Sequence, residues 1–200
     1  WSNAPGNRKI FIGWMSNWMY ANEVPTTNWR SAATLARELK IKHVRDDLYV
    51  ASEPVKELSV IHDSIIVTRN LKNNDTTNIE TLVGEIQLPG SFTIESSTKK
   101  SFSFVLSNDE GEQLIVGYDR EKNEYYIDRS KSGNTSFNKE FAAVHTAPRF
   151  SISTLVKLNL VIDVSSIELF ADDGLSVMTE IFFPSTPYNK FYIQSGEGAI

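Results

Sequence analysis

From residue 101 onward, apolar and polar side chains alternate with a period of two residues, and this alternation constrains the fold more than any other feature. The apolar members of two such runs are Phe102, Phe104 and Leu106, and Leu158, Leu160, Ile162 and Val164. A period of two places alternate side chains on opposite faces of a β-strand. The pattern therefore predicts half-buried strands, and no segment after residue 45 shows a sustained helical period.

Turn signals separate the predicted strands at intervals of roughly ten residues. They lie at 108–111, 121–123, 131–134 and 172–174, and each contains Asn, Asp or Gly. These residue types accept a positive φ or bond their own backbone. Short strands at this spacing are typical of a sandwich or a barrel. We therefore expect an all-β chain whose main body is an antiparallel, two-sheet β-sandwich of the jelly-roll or lectin-like kind.

Residues 1–43 have a different character. The segment 9–18 is apolar on both faces for much of its length, which predicts a strand covered on both sides. The segment 29–39 is ambiguous, because its alanines, leucines and charged residues favour a helix while its apolar residues also alternate. We place a boundary near residues 45–47, so that 1–46 and 47–200 are expected to be separate units.

Composition and charge exclude several functional classes. The chain has 200 residues, of which 40% are hydrophobic, and no apolar run approaches the roughly 20 residues that a membrane helix needs. Lys and Arg number 20 against 25 Asp and Glu, with no basic cluster, so we expect neither a nucleic-acid nor a membrane partner. The absence of cysteine excludes disulfides and cysteine-based catalysis or metal sites, but it leaves the compartment open.

Few residues offer catalytic chemistry. A serine or threonine nucleophile needs a base, and only His43, His62 and His145 are available, none of them in a nucleophile motif. Three scattered histidines are equally weak support for a metal site, and no glycine-rich phosphate loop is present. The 25 acidic residues could in principle supply the carboxylate pair of a glycoside hydrolase, but most occupy predicted turns or the polar faces of strands, where solvation is the expected role. We therefore expect no metal and no cofactor, and these residues alone identify no catalytic group.

One group of side chains has a specific chemical character. It consists of Trp14, Asn17, Trp18, Tyr20 and Trp29. A sugar ring presents an apolar C–H face and peripheral hydroxyls, so a site for it combines aromatic planes with amide or carboxylate partners. Indole rings that fill the gap between stacked sheets would produce the same composition. The residues alone favour neither interpretation.

The chain resembles glycoside hydrolase family 32, the family of invertases, inulinases, levanases and related β-fructosidases. The segments that carry the resemblance to its last propeller blade are 12–18 (IGWMSNW), 20–22 (YAN), 24–27 (VPTT), 29–31 (WRS) and 35–39 (LAREL). Segments 116–120 (VGYDR), 126–130 (YIDRS), 132–133, 167–170 (IELF) and 173–174 are similar to its C-terminal β-sandwich. Residues 50–100 carry little of the resemblance.

The resemblance implies a five-bladed propeller that holds the active site, with a β-sandwich packed beside it. It also implies a retaining mechanism, in which an aspartate attacks a fructosyl carbon, a glutamate serves as acid and base, and a second aspartate holds fructose hydroxyls. Such a mechanism needs two carboxyl groups about 5 Å apart. The family's motifs for these carboxylates, of the Asn-Asp-Pro, Arg-Asp-Pro and Glu-Cys types, are not found in this sequence.

The chain is therefore expected to be the C-terminal part of a β-fructosidase, with residues 1–46 a remnant of the last blade and 31–41 a blade strand. By resemblance, Trp18 and Trp14 are candidates to line the fructose pocket, followed by Asn17 and Tyr20. The expected partners are the missing propeller blades, a fructan or sucrose substrate in the intact enzyme, and, through self-association, a second copy of the chain. An extracellular or periplasmic location is plausible only by analogy with the family.

An alternative is an independent, lectin-like sandwich that binds carbohydrate. Such a domain needs an exposed aromatic face, for which the candidates are Tyr125, Tyr126, Tyr188 and Tyr192. The same tyrosines would also serve as cross-strand packing.

Overall fold

The computed structural model describes residues 3–61, 76–97 and 99–196. Its strands are β1 (Lys9–Phe11), β2 (Arg37–Val44), β3 (Asp47–Pro54), β4 (Thr76–Asn78), β5 (Gly90–Ser97), β6 (Phe102–Ser107), β7 (Gln113–Asp119), β8 (Glu124–Lys131), β9 (Val144–Pro148), β10 (Leu155–Ile162), β11 (Ser166–Ala171), β12 (Ser176–Ile181) and β13 (Lys190–Ser195). Helical structure in these ranges is confined to one α-helical turn, α1 (Glu80–Val83), and two 3-10 helices, Pro5–Asn7 and Lys56–Ile61. The expected all-β class is confirmed.

Two antiparallel sheets form the sandwich. One has four strands in the order β12-β11-β10-β5, and the other has six in the order β4-β13-β6-β7-β8-β9. Two of the predicted turns close hairpins in these sheets, and they do so with residues at positive φ, Asn123 between β7 and β8 and Asp172 and Asp173 between β11 and β12. Asparagine and aspartate tolerate this conformation better than other residues with a side chain. Local turn chemistry therefore favours the pairing of β7 with β8 and of β11 with β12.

The main core lies between the two sheets and consists of the apolar members of the alternating pattern. It includes Phe102, Phe104, Leu106, Leu114, Val116, Ile127, Val156, Leu158, Leu160, Ile162, Leu169 and Phe191. Phe92 joins the rings across the sandwich, with its centroid 5.1 Å from that of Phe104. Burial of these side chains supplies the dominant favourable term in the folding of such a sandwich.

The third sheet, in the order β1-β2-β3, belongs to the N-terminal part of the chain. The strand expected over 9–18 is shorter, because β1 ends at Phe11 and only an isolated bridge between Trp14 and Ala33 continues the pairing. The expectation that it is covered on both sides is also wrong within this chain, since Ile12 and Trp14 are exposed. A strand at the edge of a three-stranded sheet has no neighbour to cover it.

The ambiguous segment 29–39 contains no helix, and the strand expected over 31–41 begins at Arg37 and runs to Val44. It pairs with β3 over its whole length, from Arg37 opposite Pro54 to Val44 opposite Asp47. The boundary expected after residue 46 falls in the turn of this hairpin, and the division into 1–46 and 47–200 stays a prediction. The 3-10 helix Lys56–Ile61 follows the hairpin. Arg8 donates two hydrogen bonds to the carboxylate of Glu57 in this helix, and they lower the pKa of Glu57 to about 2.

We expect Leu160→Ala to destabilise the fold by about 2–5 kcal/mol, because it removes a fully buried side chain from the core and leaves a cavity. Leu155→Ala on the same strand is the matched control, since Leu155 is exposed and should cost less than about 1 kcal/mol. Urea unfolding followed by circular dichroism measures both. Equal losses of stability would contradict the assignment of the core to this face.

Candidate functional site

Trp14 and Trp18 form an exposed aromatic face near the end of β1. Their ring centroids are 4.9 Å apart with the planes inclined at 54°. Trp18 is 87% exposed and Trp14 is 41% exposed. The indole N–H of Trp14 donates to the Ser31 hydroxyl over 3.0 Å, so its hydrogen-bonding requirement is met by the neighbouring segment. The two indole rings are therefore accessible to solvent, and the hydrogen bond to Ser31 fixes the orientation of the Trp14 ring.

Asn17 lies on the same exposed turn, whereas Tyr20 does not. The carbonyl of Asn17 accepts from the amides of Tyr20 and Ala21, and its side-chain oxygen accepts from the amide of Met19 over 2.9 Å. Tyr20 is buried, with its ring packed edge-on against Phe141 at 5.2 Å. The structure thus brings Trp14, Trp18 and Asn17 to one surface and sends Tyr20 into the interior. Their part in substrate binding stays a prediction.

Trp29, the third tryptophan of the group, lies apart from the aromatic face defined by Trp14 and Trp18. It is 39% exposed, and its ring centroid is 6.3 Å from that of Phe183 in the loop that follows β12. It therefore covers a second, smaller core, which contains Met15, Tyr20, Val24, Phe141, Ile181 and Phe183. Trp29 therefore has a packing role, whereas the binding of sugar by Trp14 and Trp18 stays a prediction.

The segment that carries the aromatic face is clamped to the sandwich. The amide of Gly13 donates to the Thr34 hydroxyl, and the amide of Thr34 donates back to the Gly13 carbonyl, each over 2.9 Å. The next amide, that of Leu35, donates to a carboxylate oxygen of Glu168 on β11 over 2.6 Å. A short run of hydrogen bonds therefore leads from the sandwich to Trp14.

The carboxylate of Glu168 also binds Arg37, the first residue of β2. The Nε of Arg37 donates over 3.0 Å, its Nη2 is bonded to the same carboxylate oxygen, and Nη2 also donates to the Thr179 hydroxyl over 2.6 Å. Both charged side chains are buried, and the guanidinium lies over the ring of Phe170 at 5.1 Å. A buried pair of this kind is favourable only when further hydrogen bonds accompany it, and here the Leu35 amide and the Thr179 hydroxyl supply two.

A second buried arginine, Arg129 on β8, joins the smaller core to the sandwich. Its guanidinium pairs with Glu180 at 2.7 Å, donates to the Phe141 carbonyl at 2.8 Å and lies over the Phe141 ring at 4.1 Å. It also donates to the hydroxyl of Tyr20 over 3.3 Å, which explains why Tyr20 points inward. The other oxygen of Glu180 contacts His145 at 2.6 Å.

A third buried arginine, Arg149, pairs with Asp172 at 2.8 Å and donates to the hydroxyl of Tyr125 over 3.0 Å. Tyr125 in turn donates to Asp172 over 2.6 Å, and burial together with this carboxylate raises the pKa of the tyrosine. The sequence analysis missed the roles of all three arginines. The only signal was that Arg37 and Arg129 lie within segments that carry the family resemblance.

The tyrosines of the lectin-like alternative do not form an exposed face. Tyr125 and Tyr188 lie in the core between the sheets, and Tyr188 donates to the Ser132 carbonyl over 3.1 Å. Tyr126 is also buried, and burial raises its pKa to about 12. Only Tyr192 of the four is half-buried. The face that the lectin-like alternative requires is therefore not formed by these four tyrosines together.

The two histidines that the structure describes, His43 and His145, form no catalytic arrangement with a serine or threonine nucleophile. His43 is exposed on β2, His145 contacts Glu180, and His62 lies outside the described residues. Within 3–61, 76–97 and 99–196 no three acidic or histidine side chains gather as a metal site would require. Over the same ranges, no helix has the length and apolar character needed to cross a membrane.

Comparison with known proteins matches the chain from end to end. The model described as "Glycosyl hydrolases family 32 N-terminal domain" matches residues 1–52, and "Glycosyl hydrolases family 32 C terminal" matches residues 55–200. A levanase of Bacillus subtilis is 35% identical over 207 residues, which cover 100% of this chain and 30% of the levanase. An extracellular exo-inulinase of Aspergillus ficuum is 34% identical over 184 residues, covering 88% of this chain and 34% of the relative.

The fold is also similar to that of solved structures. The crystal structure of exo-inulinase from Aspergillus awamori superimposes with a TM-score of 0.82 at 30% identity, over 96% of this chain and 38% of that one. The β-fructofuranosidase of Schwanniomyces occidentalis gives a TM-score of 0.67 at 24% identity, over 94% and 41%. The chain spans about a third of the length of the curated relatives it matches.

We expect Glu168→Ala to cost about 3–5 kcal/mol of stability, because it leaves the Arg37 guanidinium buried without its carboxylate. Glu95→Ala, an exposed position on β5, is the control and should change stability by less than about 0.5 kcal/mol. Urea unfolding gives both values. The indole N–H resonance of Trp14 should shift in the Glu168 variant alone, and an unchanged resonance would argue against the connection from β11 to the aromatic face.

Proposed function

The chain belongs to glycosyl hydrolase family 32, and from that membership we propose that it forms the C-terminal portion of an enzyme that hydrolyses the β-fructosidic bonds of fructans or sucrose. The observation that carries the proposal is the exposed Trp14–Trp18 face, which lies in the part of the chain matched by the N-terminal family model. A relative named levanase matches the whole chain, this segment included. Several relatives are named extracellular exo-inulinases, which supports an extracellular location for this protein as well.

The chemistry of the aromatic face suits a fructosyl unit. The two indoles offer apolar planes for the C–H faces of a sugar ring, and the Asn17 side chain lies on the same turn to supply polar contacts. Trp18 is the stronger candidate to touch substrate, because its indole is almost fully exposed and no residue of the described chain covers it. The Trp14 indole is oriented by its hydrogen bond to Ser31, and its ring contacts the ring of Trp18.

The chain by itself is proposed to lack hydrolytic activity. Retaining hydrolysis requires one ionised carboxylate as nucleophile and one protonated carboxyl as acid, at about 5 Å from each other. The sequence contains none of the family motifs that supply them. The contribution of the sandwich is then mainly structural, since Glu168, Glu180 and Asp172 hold the N-terminal segment and its neighbouring loops through buried arginines.

The three-stranded sheet has an exposed apolar surface that another protein surface could bury. Ile41 and Val50 face each other across β2 and β3, Leu48 lies on the same face of β3, and all three are exposed. Contiguous apolar surface on a sheet with open edges is typical of an interaction site. We propose that the upstream propeller blades of the longer protein cover this face, and that a second copy of the chain covers it when those blades are absent.

We expect the purified 200-residue chain to release no fructose from sucrose, inulin or levan, whereas the longer protein that contains it should do so. Reducing-sugar assays with chromatographic identification of the products measure both. Turnover by the purified chain would show that its own carboxylates are sufficient and would overturn the proposed division of labour.

In the longer protein, Trp18→Ala should lower kcat/KM for sucrose by about tenfold, equivalent to ~1.4 kcal/mol of transition-state stabilisation. Its melting temperature should stay the same, because the side chain is exposed. Met19→Ala, an exposed neighbour on the same turn, is the control and should leave kcat/KM unchanged. A Trp18 variant with full activity would remove this residue from the substrate pocket.

Sedimentation equilibrium should show that the isolated chain self-associates. Combining Ile41→Lys with Val50→Lys should shift it towards the monomer, because two charges then oppose burial of the sheet face. Val164→Lys changes an exposed valine outside this face and should leave the association intact. A wild-type chain that stays monomeric would contradict the proposed role of the surface.

A further inference from the structure

A cleft of about 600 Å³ lies where the tip of the β2–β3 hairpin meets one end of the sandwich. Its lining includes Arg45, Tyr49, Arg120, Asn123, Phe150 and Ser153. These residues come from three separate parts of the chain, namely the hairpin, the β7–β8 turn and the loop from β9 to β10. The cleft therefore exists only because the hairpin is docked on the sandwich.

The cleft is remote from the aromatic face. Trp14 bridges to Ala33, beyond the N-terminal end of β2, whereas the cleft begins at Val44, the C-terminal end of the same strand. Seven residue steps separate Arg37 from Val44, which corresponds to about 23 Å at the usual rise of a strand. A ligand in the cleft is thus a second occupant and does not belong to the Trp14–Trp18 site.

One wall of the cleft carries an aromatic pair. The rings of Tyr49 and Phe150 are 4.7 Å apart between centroids with an interplanar angle of 37°. Both residues are half-buried, and Ile152 beside them is exposed. The pair is part of the contact between hairpin and sandwich, and its open side provides an apolar plane within the cleft.

The rest of the lining is mainly polar. Among the residues that the structure describes, the guanidinium groups of Arg45 and Arg120 have neither an ion pair nor a hydrogen bond. Asp47 adds a carboxylate to the same lining, and Ser153 adds a hydroxyl. Arg45 is held at the hairpin turn with φ of +55°, a conformation uncommon for a residue with a long side chain.

The floor of the cleft is fixed. Arg149 is buried and donates to the carbonyls of Ser153 and Leu155 over 2.9 and 3.0 Å, which holds the loop between β9 and β10. Asn123 accepts from the Tyr118 hydroxyl over 3.0 Å and donates to the Arg149 carbonyl over 3.3 Å. A ligand would therefore meet a preformed surface, which lowers the entropic cost of binding.

We propose that this cleft is an accessory binding site for a neutral oligosaccharide, and specifically for a segment of the fructan chain. The combination of an aromatic plane with both donors and acceptors suits a polyhydroxylated ring, and Asp47 supplies an acceptor beside the arginine donors. The choice of fructan rests on the proposed function. A long fructan that occupied both the cleft and the aromatic face would gain affinity through the higher effective concentration of its second segment.

The test is a titration of the ¹⁵N-labelled chain with short inulin-type and levan-type oligofructosides, followed by NMR. The amides of Arg45, Tyr49 and 150–153 should shift. In the double variant Arg45→Gln and Arg120→Gln, the dissociation constant obtained from these shifts should rise about tenfold, because two hydrogen bonds from charged donors are lost. Lys139→Gln, at an exposed lysine remote from the cleft, is the control and should leave them unchanged.

A second variant, Tyr49→Leu, keeps apolar volume while removing one aromatic ring, and it should weaken binding while the unfolding midpoint stays close to that of the wild type. Oligofructosides that shift no cleft amide at millimolar concentration would overturn the proposal, as would shifts that survive both variants. Shifts produced by inorganic phosphate and not by oligofructosides would also overturn it, since the cleft would then be an anion site. Failure of the proposed function is distinguishable, because it would appear as a longer protein without fructoside turnover while cleft binding persists.

Discussion

The arrangement of this molecule depends on the buried pair between Arg37 and Glu168. A guanidinium and a carboxylate removed from water cost several kcal/mol each unless they find each other with good geometry and fill their remaining hydrogen-bonding positions. Here the carboxylate accepts from two arginine nitrogens and from the Leu35 amide, and the arginine donates further to Thr179. A displacement of β2 along the sandwich by one residue would leave both charges unpaired. The pair therefore fixes the position of the hairpin on the sandwich.

The sandwich could be predicted from the sequence, because its strands obey a local rule. Leu160 and its neighbours alternate with a period of two, and the β10 that results runs from Leu155 to Ile162. The residue at which β2 begins was harder to predict, because the composition of residues 31–36 suits a strand and a helix alike. They form only an isolated bridge because the amide of Leu35 donates to Glu168, a residue 133 positions away in the chain. No local pattern contains that information.

The same distinction separates the site residues. Trp18 and Tyr20 are two positions apart in one turn, and the sequence analysis named both as candidates for the fructose pocket, with Trp18 ahead of Tyr20. The structure places Trp18 in solvent and Tyr20 inside, because Arg129 and Phe141 come from distant strands and loops to receive the tyrosine. The buried arginines were missed for a related reason. An arginine in an alternating strand is expected to be on the solvent face, and only its non-local partners, Glu168, Glu180 and Asp172, reverse that expectation.

A supporting role for the sandwich and a direct role in binding are compatible in this architecture. The strand β2 has the clamped segment of the aromatic face at one end and the cleft at the other, and it touches the sandwich near both. Glu168 holds the first end, and the amide of Ser52, opposite Leu39 on the paired strand, donates to the Gly174 carbonyl. Nearer the second end, Lys42 donates to the Asp173 carbonyl. A hairpin fixed at two points is a rigid spacer, so the distance between the two surfaces is set by the strand itself. Rigid spacing is what two sites need if they are to engage one polymer together, because a flexible connection would dilute the second contact.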